Sequence, residues 1–424
     1  MFRQRFVLVQ GVELAAELCD DSRFQKALAP GVEALRMFVE DGLFTAYNDE
    51  PNWRLAHDLL QPAFTKAAMQ GYHSTMNAVA DELLERWDGA SEPVDVPGDL
   101  TRLTLETIGR SAFSHTFDSF TEPDQDPFVT AMVAALRHGQ RRAAMRAIPG
   151  GRFLSRGADR RALEQQRSID AVIDRIIADR MASGDTSSRD VLGLMLHTAH
   201  GRSGEHLDPL NIRHQIFTFL VAGHETTSGA LSFAMYFLAT HPEVRARAQA
   251  ETDAILGPDP NAVPTFEQIP HLRYLRRVLD ETLRLWPTAP AFARSPLSPT
   301  MVGEYRMTPS DWALIVLPLL HRARSVWGAD ADVFDPDNFL PDRVRARPPH
   351  AYKPFGTGER SCIGRQFALH EAVLVLARLL HRYEFEADPG YDLVISERLT
   401  LMPVGFRLTP TRRTRVPVDA TPPA

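Results

Sequence analysis

The chain has 424 residues, 44% of them apolar, enough to bury one large core without disulfide staples. A formal net charge of −7 excludes the basic excess of a nucleic-acid binder. No apolar run is long enough for a membrane span, and the opening MFRQRFVLVQG lacks the apolar core and cleavage site of a secretion signal. Only two cysteines occur, Cys19 and Cys362, which excludes a disulfide framework and makes a reducing cytoplasm the expected location. Lysine is confined to positions 26, 66 and 353, a bias that reads as genome composition rather than function.

Helical periodicity covers 10–40, 53–88, 100–116, 126–145, 160–183, 208–240, 242–256, 272–286 and 364–384. Strand-like runs come late, at 302–306, 312–318 and 399–408. No repeat or interior linker divides the sequence, so one domain is expected over 1–408, mainly α with a minor β portion. The Pro- and Arg-rich stretch 409–424 reads as a frayed tail.

Two of these helices carry unusual residues. Asp208-Pro209 is a strong helix start, and the apolar pattern then runs to His241-Pro242, far enough to cross the whole domain. Its middle, Leu220-Val221-Ala222-Gly223-His224-Glu225-Thr226-Thr227, places a glycine, an acid and two alcohols where an apolar helix least tolerates them. Local rules tend to break at functional sites. The second helix holds Glu281-Thr282-Leu283-Arg284-Leu285-Trp286-Pro287, with Glu281 and Arg284 on one face.

The segment Pro354-Phe355-Gly356-Thr357-Gly358-Glu359-Arg360-Ser361-Cys362-Ile363-Gly364 is the most informative. Its glycines allow a tight turn, and a helix begins just after the cysteine, whose N-terminal partial charge favours thiolate over thiol. Backbone N–H groups in such a turn can bond the sulfur, Gly364 would let the backbone pass close to a flat cofactor, and Arg360 can meet a carboxylate. A packed cysteine, a nucleophile with a nearby histidine base, and a metal ligand are the readings open here.

The spacing Phe355-x-x-Gly358-x-Arg360-x-Cys362-x-Gly364 resembles the haem-binding loop of cytochrome P450 enzymes at every fixed position. Glu281-x-x-Arg284 resembles the helix pair that braces that loop, and Ala222-Gly223-x-Glu225-Thr226 resembles the family's oxygen-activating groove. From about Cys19 to Leu408 the chain is similar to the haem domain of self-sufficient bacterial fatty-acid hydroxylases. The runs DGLFTAYNDEPNW, FLVAGHETTSGALSFAMYFL, LRLWPTAPAF and CIGRQFALHEAVLVLARLL carry that likeness.

The resemblance implies a long central helix over haem b and a cysteine loop beneath it. Cys362 would be the axial iron ligand, its thiolate favouring O–O cleavage, with Phe355 packed beside the sulfur. Arg360, Trp53 and Lys26 would hold the haem propionates, with Arg54 and His57 of second rank. Thr226 and Glu225 would organise proton delivery, and a kink or π-bulge at Ala222-Gly223 would make room for dioxygen. His224 reads as structural. Phe44, Ala222, Ala289 and Leu399 would line an apolar substrate pocket suited to a fatty acid or similar lipophile.

Three departures from the family pattern matter. The arginine that usually completes the Glu281–Arg284 brace is replaced by Asn338 in Pro336-Asp337-Asn338-Phe339, leaving Asn338 or Arg343 to serve. Where fatty-acid hydroxylases carry Arg and Tyr at the pocket mouth, this chain has Gln4 and Leu8, with Arg3 and Arg5 adjacent. The chain also starts late against the family, omitting its first helix and early strands, so an exposed sheet edge is expected. Electrons would come from a separate ferredoxin- or flavodoxin-type carrier, ultimately from NAD(P)H, docking on the cysteine side near Arg360 and Arg365. A peroxide-driven peroxygenase is an alternative, although such enzymes generally lack the acid–alcohol pair. A non-catalytic haem-binding protein is the other.

Overall fold

Helix signals in the sequence become long helices wherever a cap and a stop both exist. The structure, a computed structural model, describes residues 5–121, 126–146, 156–397 and 399–414. Its main helices are α1 (Val12–Leu18), α2 (Pro51–Leu60), α3 (Lys66–Asp88), α4 (Val96–Phe113), α5 (Pro127–Arg146), α6 (Arg156–Ser183), α7 (Val191–His197), α8 (Pro209–Thr240), α9 (Pro242–Leu256), α10 (Arg273–Leu285) and α11 (Arg365–Arg382). In α8 the Asp208 carboxylate accepts from the N–H groups of Leu210 and Asn211, both at 2.9 Å, and Pro209 opens the first turn. Its 32 residues span ~48 Å. α4, α10 and α11 pack against it to form the main core.

Strands are short and sit at the periphery: β1 (Phe6–Val9), β2 (Phe24–Ala27), β3 (Val94–Asp95), β4 (Ala291–Pro296), β5 (Thr300–Val302), β6 (Tyr305–Met307), β7 (Trp312–Val316), β8 (Tyr383–Ala387), β9 (Ile395–Glu397), β10 (Leu401–Pro403) and β11 (Arg407–Arg412). The largest sheet has the order β1-β7-β4-β2, with β1 parallel to β7 and the other pairs antiparallel. A smaller core lies under it.

Four expectations are corrected. The helix expected over 10–40 is interrupted by β2, because Phe24–Ala27 pair with Ala293–Pro296, a partner no local pattern reveals. The strand expected over 302–306 is a hairpin of β5 and β6 turning at Gly303 (φ 53°), and the run 399–408 divides into β10 and β11. The tail expected from 409 does not begin there. Residues through Arg412 pair with β8, and Arg413 forms a bidentate ion pair with buried Asp253. Finally, α8 is continuous α-helix from Pro209 to Thr240, with no π-bulge. Gly223 is used for packing instead, since a Cβ there would lie 2.9 Å from Ile108 Cγ1 of α4. Gln4, Arg3 and the stretch 415–424 lie outside the described residues.

Candidate active site

The cysteine loop owes its shape to two glycines. Gly356 (φ 73°) and Gly358 (φ 65°) adopt the left-handed backbone, and a Cβ on Gly358 would lie 1.9 Å from Asp21 Oδ2. The Cys362 N–H donates to the Phe355 carbonyl at 2.9 Å, closing the loop, while Gly364 forms the N-cap of α11. Against the protein itself a Cβ on Gly364 would make ordinary contacts with Phe64 and Cys362.

Cys362 is a free, accessible thiol at the edge of a cleft of about 420 Å³, shared with His57, Gln61, Pro62, Phe64, Thr65, Ser361 and Ile363. Protein nonetheless surrounds the sulfur on most sides, and this burial pushes its pKa up. The Gly364 N–H bonded to the sulfur and the Arg365 charge oppose that shift without overcoming it. A metal bound at this sulfur would take the proton's place.

Lys26 and Arg360 lie close together, and Glu50, which Arg36 already holds, is the carboxylate that acts on Arg360. Arg360 donates to the carbonyls of Ala46 (2.8 Å) and Leu43 (3.4 Å) and to Asn48 Oδ1 (3.1 Å), and it stacks 4.6 Å over the Trp53 ring. Burial lowers its pKa to about 10. Lys26 donates to the Phe44 carbonyl and sits 4.8 Å from the Phe44 ring. Its pKa falls well below the ordinary range, first through burial and then through the Arg360 charge. Both side chains are half-buried and held by carbonyls and ring faces, so both can meet an arriving anion. Trp53 is buried and stacks on His57 at 5.2 Å. Arg54, in contrast, is engaged by Glu359 at 2.6 Å, so it ties α2 to the cysteine loop.

On α8 the Thr226 hydroxyl donates to the Ala222 carbonyl at 2.8 Å, as a helix-packing threonine would, yet Thr226 keeps accessible surface and Ala222 is exposed. Glu225 beside it is 2% exposed, so its carboxylate does not open to solvent. His224 is fully buried, with Nδ1 2.5 Å from the Leu220 carbonyl, and burial lowers its pKa to about 4. It is a neutral, structural histidine, as expected. Phe44 and Ala289 expose apolar surface, and Leu399 is half-buried against the main core.

Beneath the loop, the brace is complete. Arg284 forks onto Glu281 through Nε (2.6 Å) and Nη2 (2.7 Å), and its remaining donors meet the carbonyls of Ala331 (2.6 Å), Val333 (2.9 Å) and His321 (3.0 Å). Both residues are fully buried. Asn338 donates to Glu281 Oε1 at 3.1 Å and accepts from Arg343 at 3.3 Å, so both expected substitutes act in series. Sequence reasoning missed His321. Its Nδ1 lies 3.2 Å from the Arg284 carbonyl and its Nε2 accepts from the Lys353 N–H at 2.9 Å, joining brace to loop. Nothing in its sequence setting signals this; the partners are long-range.

A family profile for cytochrome P450 matches residues 1–411. The chain belongs to the cytochrome P450 family. It is 44% identical over 409 residues to bifunctional cytochrome P450/NADPH–P450 reductase 2 of Bacillus subtilis (strain 168), covering 95% of this chain and 38% of that protein. Reductase 1 of the same organism is 43% identical over 418 residues, covering 98% and 39%. The self-sufficient cytochrome P450 monooxygenase CYP505E1 of Aspergillus niger is 39% identical, covering 95% and 37%. The chain thus spans about two fifths of the length of these relatives.

As a P450 monooxygenase family member the chain binds haem b, and the residues present fit that group: an accessible sulfur with an N–H donor at hand and two neighbouring cations. The mainly helical fold expected from the sequence is the observed one, and no described helix is long and apolar enough to cross a membrane.

Proposed function

We propose that the chain is a haem-thiolate monooxygenase that inserts one oxygen atom of O2 into a C–H bond of a lipophilic substrate, with a fatty acyl or similar chain as the substrate type. Cys362 would hold the haem iron through its sulfur, and the bound group would supply the oxidising chemistry. The carrying observation is the pairing of that accessible sulfur, bonded by the Gly364 N–H, with the neighbouring Lys26 and Arg360 side chains. Lys26, Arg360 and Trp53 hold the propionates in this reading; His57 lines the cleft edge, and Arg54 acts through Glu359. Phe355 shields the sulfur. Phe44, Ala222, Ala289 and Leu399 form the substrate pocket.

Thr226 can hold a proton at Oγ1 while donating to Ala222, and Glu225 supplies the neighbouring acid of the relay. Electrons come from a ferredoxin- or flavodoxin-type carrier docked on the cysteine side, where Arg365 is exposed. In support of a reductive partner, the Bacillus relatives are named as fusions of a P450 with an NADPH–P450 reductase. The test is the spectrum of the reduced, haem-loaded protein with carbon monoxide. The band typical of thiolate haem is expected, and it should be lost in Cys362→Ser; its absence from folded, haem-loaded wild type would refute the proposal.

A further inference from the structure

The turn at residues 41–46 is held from two sides. Lys26 reaches the Phe44 carbonyl, and Arg360 reaches those of Leu43 and Ala46. On the other side the first turns of α8 grip the backbone. The Leu43 N–H donates to Gln215 Oε1 at 3.0 Å, Gln215 donates to Asn211 Oδ1 at 3.1 Å, and Asn211 donates to the Asp41 carbonyl at 3.4 Å. Asn211 and Gln215 are buried. Gly42 lies so close to α8 that a Cβ on it would strike Thr218 Oγ1.

This seam also holds a contact between ionisable side chains. His214 Nδ1 lies 2.7 Å from Asp41 Oδ1, and Asn52 of α2 donates to Asp41 Oδ2 at 2.6 Å. Burial pushes the Asp41 carboxyl up, but its donors outweigh burial and bring it below the usual carboxylate range. Against an ionised Asp41, His214 Nδ1 carries the proton and donates. Both side chains are mostly shielded, so water competes little for the bond.

His214, Thr218, Ala222 and Thr226 recur every four residues, forming one row along α8. The Asp41-Gly42 turn covers the first two. Ala222 is exposed and Thr226 half-buried, and each step along the row is ~6 Å. Phe44 is at most ~7 Å of backbone from Gly42, and it keeps exposed apolar surface. It therefore stands at the boundary between the covered and open halves of the row.

We infer that His214 is a positioning residue: by holding Asp41 it fixes the turn that carries Phe44, and so limits how bulky a molecule fits beside Ala222. The inference rests on the reading of Phe44 and Ala222 as pocket residues and adds what controls the selectivity of that pocket. Gln215 and Asn211 hold the backbone of the turn whatever stands at position 214. A change there loosens the turn without detaching it.

The test compares full-length, haem-loaded wild type with His214→Leu, which removes the donor, and His214→Asn, whose amide N–H replaces Nδ1–H. Backbone hydrogen exchange over residues 43–47 should rise about tenfold in His214→Leu and stay within about threefold of wild type in His214→Asn, as for one hydrogen bond to a charged group. Imidazole and 4-phenylimidazole, titrated through the shift in haem absorbance, report the pocket. The phenyl ligand should gain on imidazole by about fivefold in His214→Leu and not in His214→Asn. In a Phe44→Ala background, His214→Leu should change that ratio no further. Unchanged exchange in His214→Leu, equal effects of the two variants, an unchanged ligand ratio, or the same ratio change in the Phe44→Ala background each overturns the inference. Both shifts in protein that lacks the thiolate–carbon monoxide band would sustain it and sink the proposed oxygenation chemistry.

Discussion

Glu371 on α11 is 1% exposed, and neither carboxylate oxygen has a hydrogen-bond partner among the described residues. The Thr107 hydroxyl is its polar neighbour, though not in good bonding geometry. Burial raises its pKa from 4.5 to about 8. The folded chain therefore holds this proton at neutral pH while the unfolded chain has released it. Stability from this group is fully present below pH 4.5 and is lost as pH rises toward 8. At ~1.4 kcal/mol per unit, the loss is on the order of 3 kcal/mol by pH 7 and 5 kcal/mol by pH 8 and above. Glu371→Gln keeps the shape and removes the titration. With an unfolding entropy of about 0.9 kcal/mol/K for a chain of 424 residues, the variant should melt roughly 3–4 °C above wild type at pH 7 and about 5 °C above it at pH 9. Near pH 5 the two should coincide. Thermal unfolding followed by circular dichroism at the three pH values reads this directly. Parallel profiles, with one constant offset, would show that Glu371 is ionised in the folded state and refute the reasoning.

Arg284→Lys keeps the charge but loses the fork that serves Glu281 and three carbonyls, so a loss of about 3–5 kcal/mol and poor haem retention are expected in thermal melts and the haem-to-protein absorbance ratio. Lys26→Met removes a desolvated cation; the haem-free protein should melt higher at neutral pH, with the advantage shrinking toward pH 10, while haem dissociates faster in a transfer assay. Thr226→Ala should leave the melting temperature nearly unchanged, because the helix loses only a side-chain bond to Ala222. Product formed per NAD(P)H consumed should drop severalfold; intact coupling would remove Thr226 from the proton relay.

The long helices were legible because their ends are written locally. Asp208-Pro209 starts α8 and His241-Pro242 stops it, so the expected and observed spans agree to a residue. Strands were legible only where a short, unbroken apolar run marked them, as in β7. Phe24–Ala27 reads as part of a helix because its partner β4 lies some two hundred and seventy residues away, and pairing at that distance leaves no mark in a local window. The cysteine loop was legible for a related reason: left-handed positions at 356 and 358 demand glycine, so backbone geometry prints itself on the sequence. Lys26 shows the opposite case. A lone lysine in an alternating strand carries no signal of its own, and only the fold brings it beside Arg360.

Asn338 shows how far a motif departure can be read. Without the usual arginine Glu281 still does not lack donors: Arg284, the Asp335 N–H at 2.9 Å and the Asn338 amide all reach it. A buried carboxylate already matched by one guanidinium would gain little from a second charge, whose desolvation costs more than a neutral amide's. Asn338→Arg should therefore fail to stabilise the protein, with a melting temperature at or below wild type. A rise of several degrees would mean that Glu281 remains under-neutralised and that Arg343, acting through Asn338, is too distant to count.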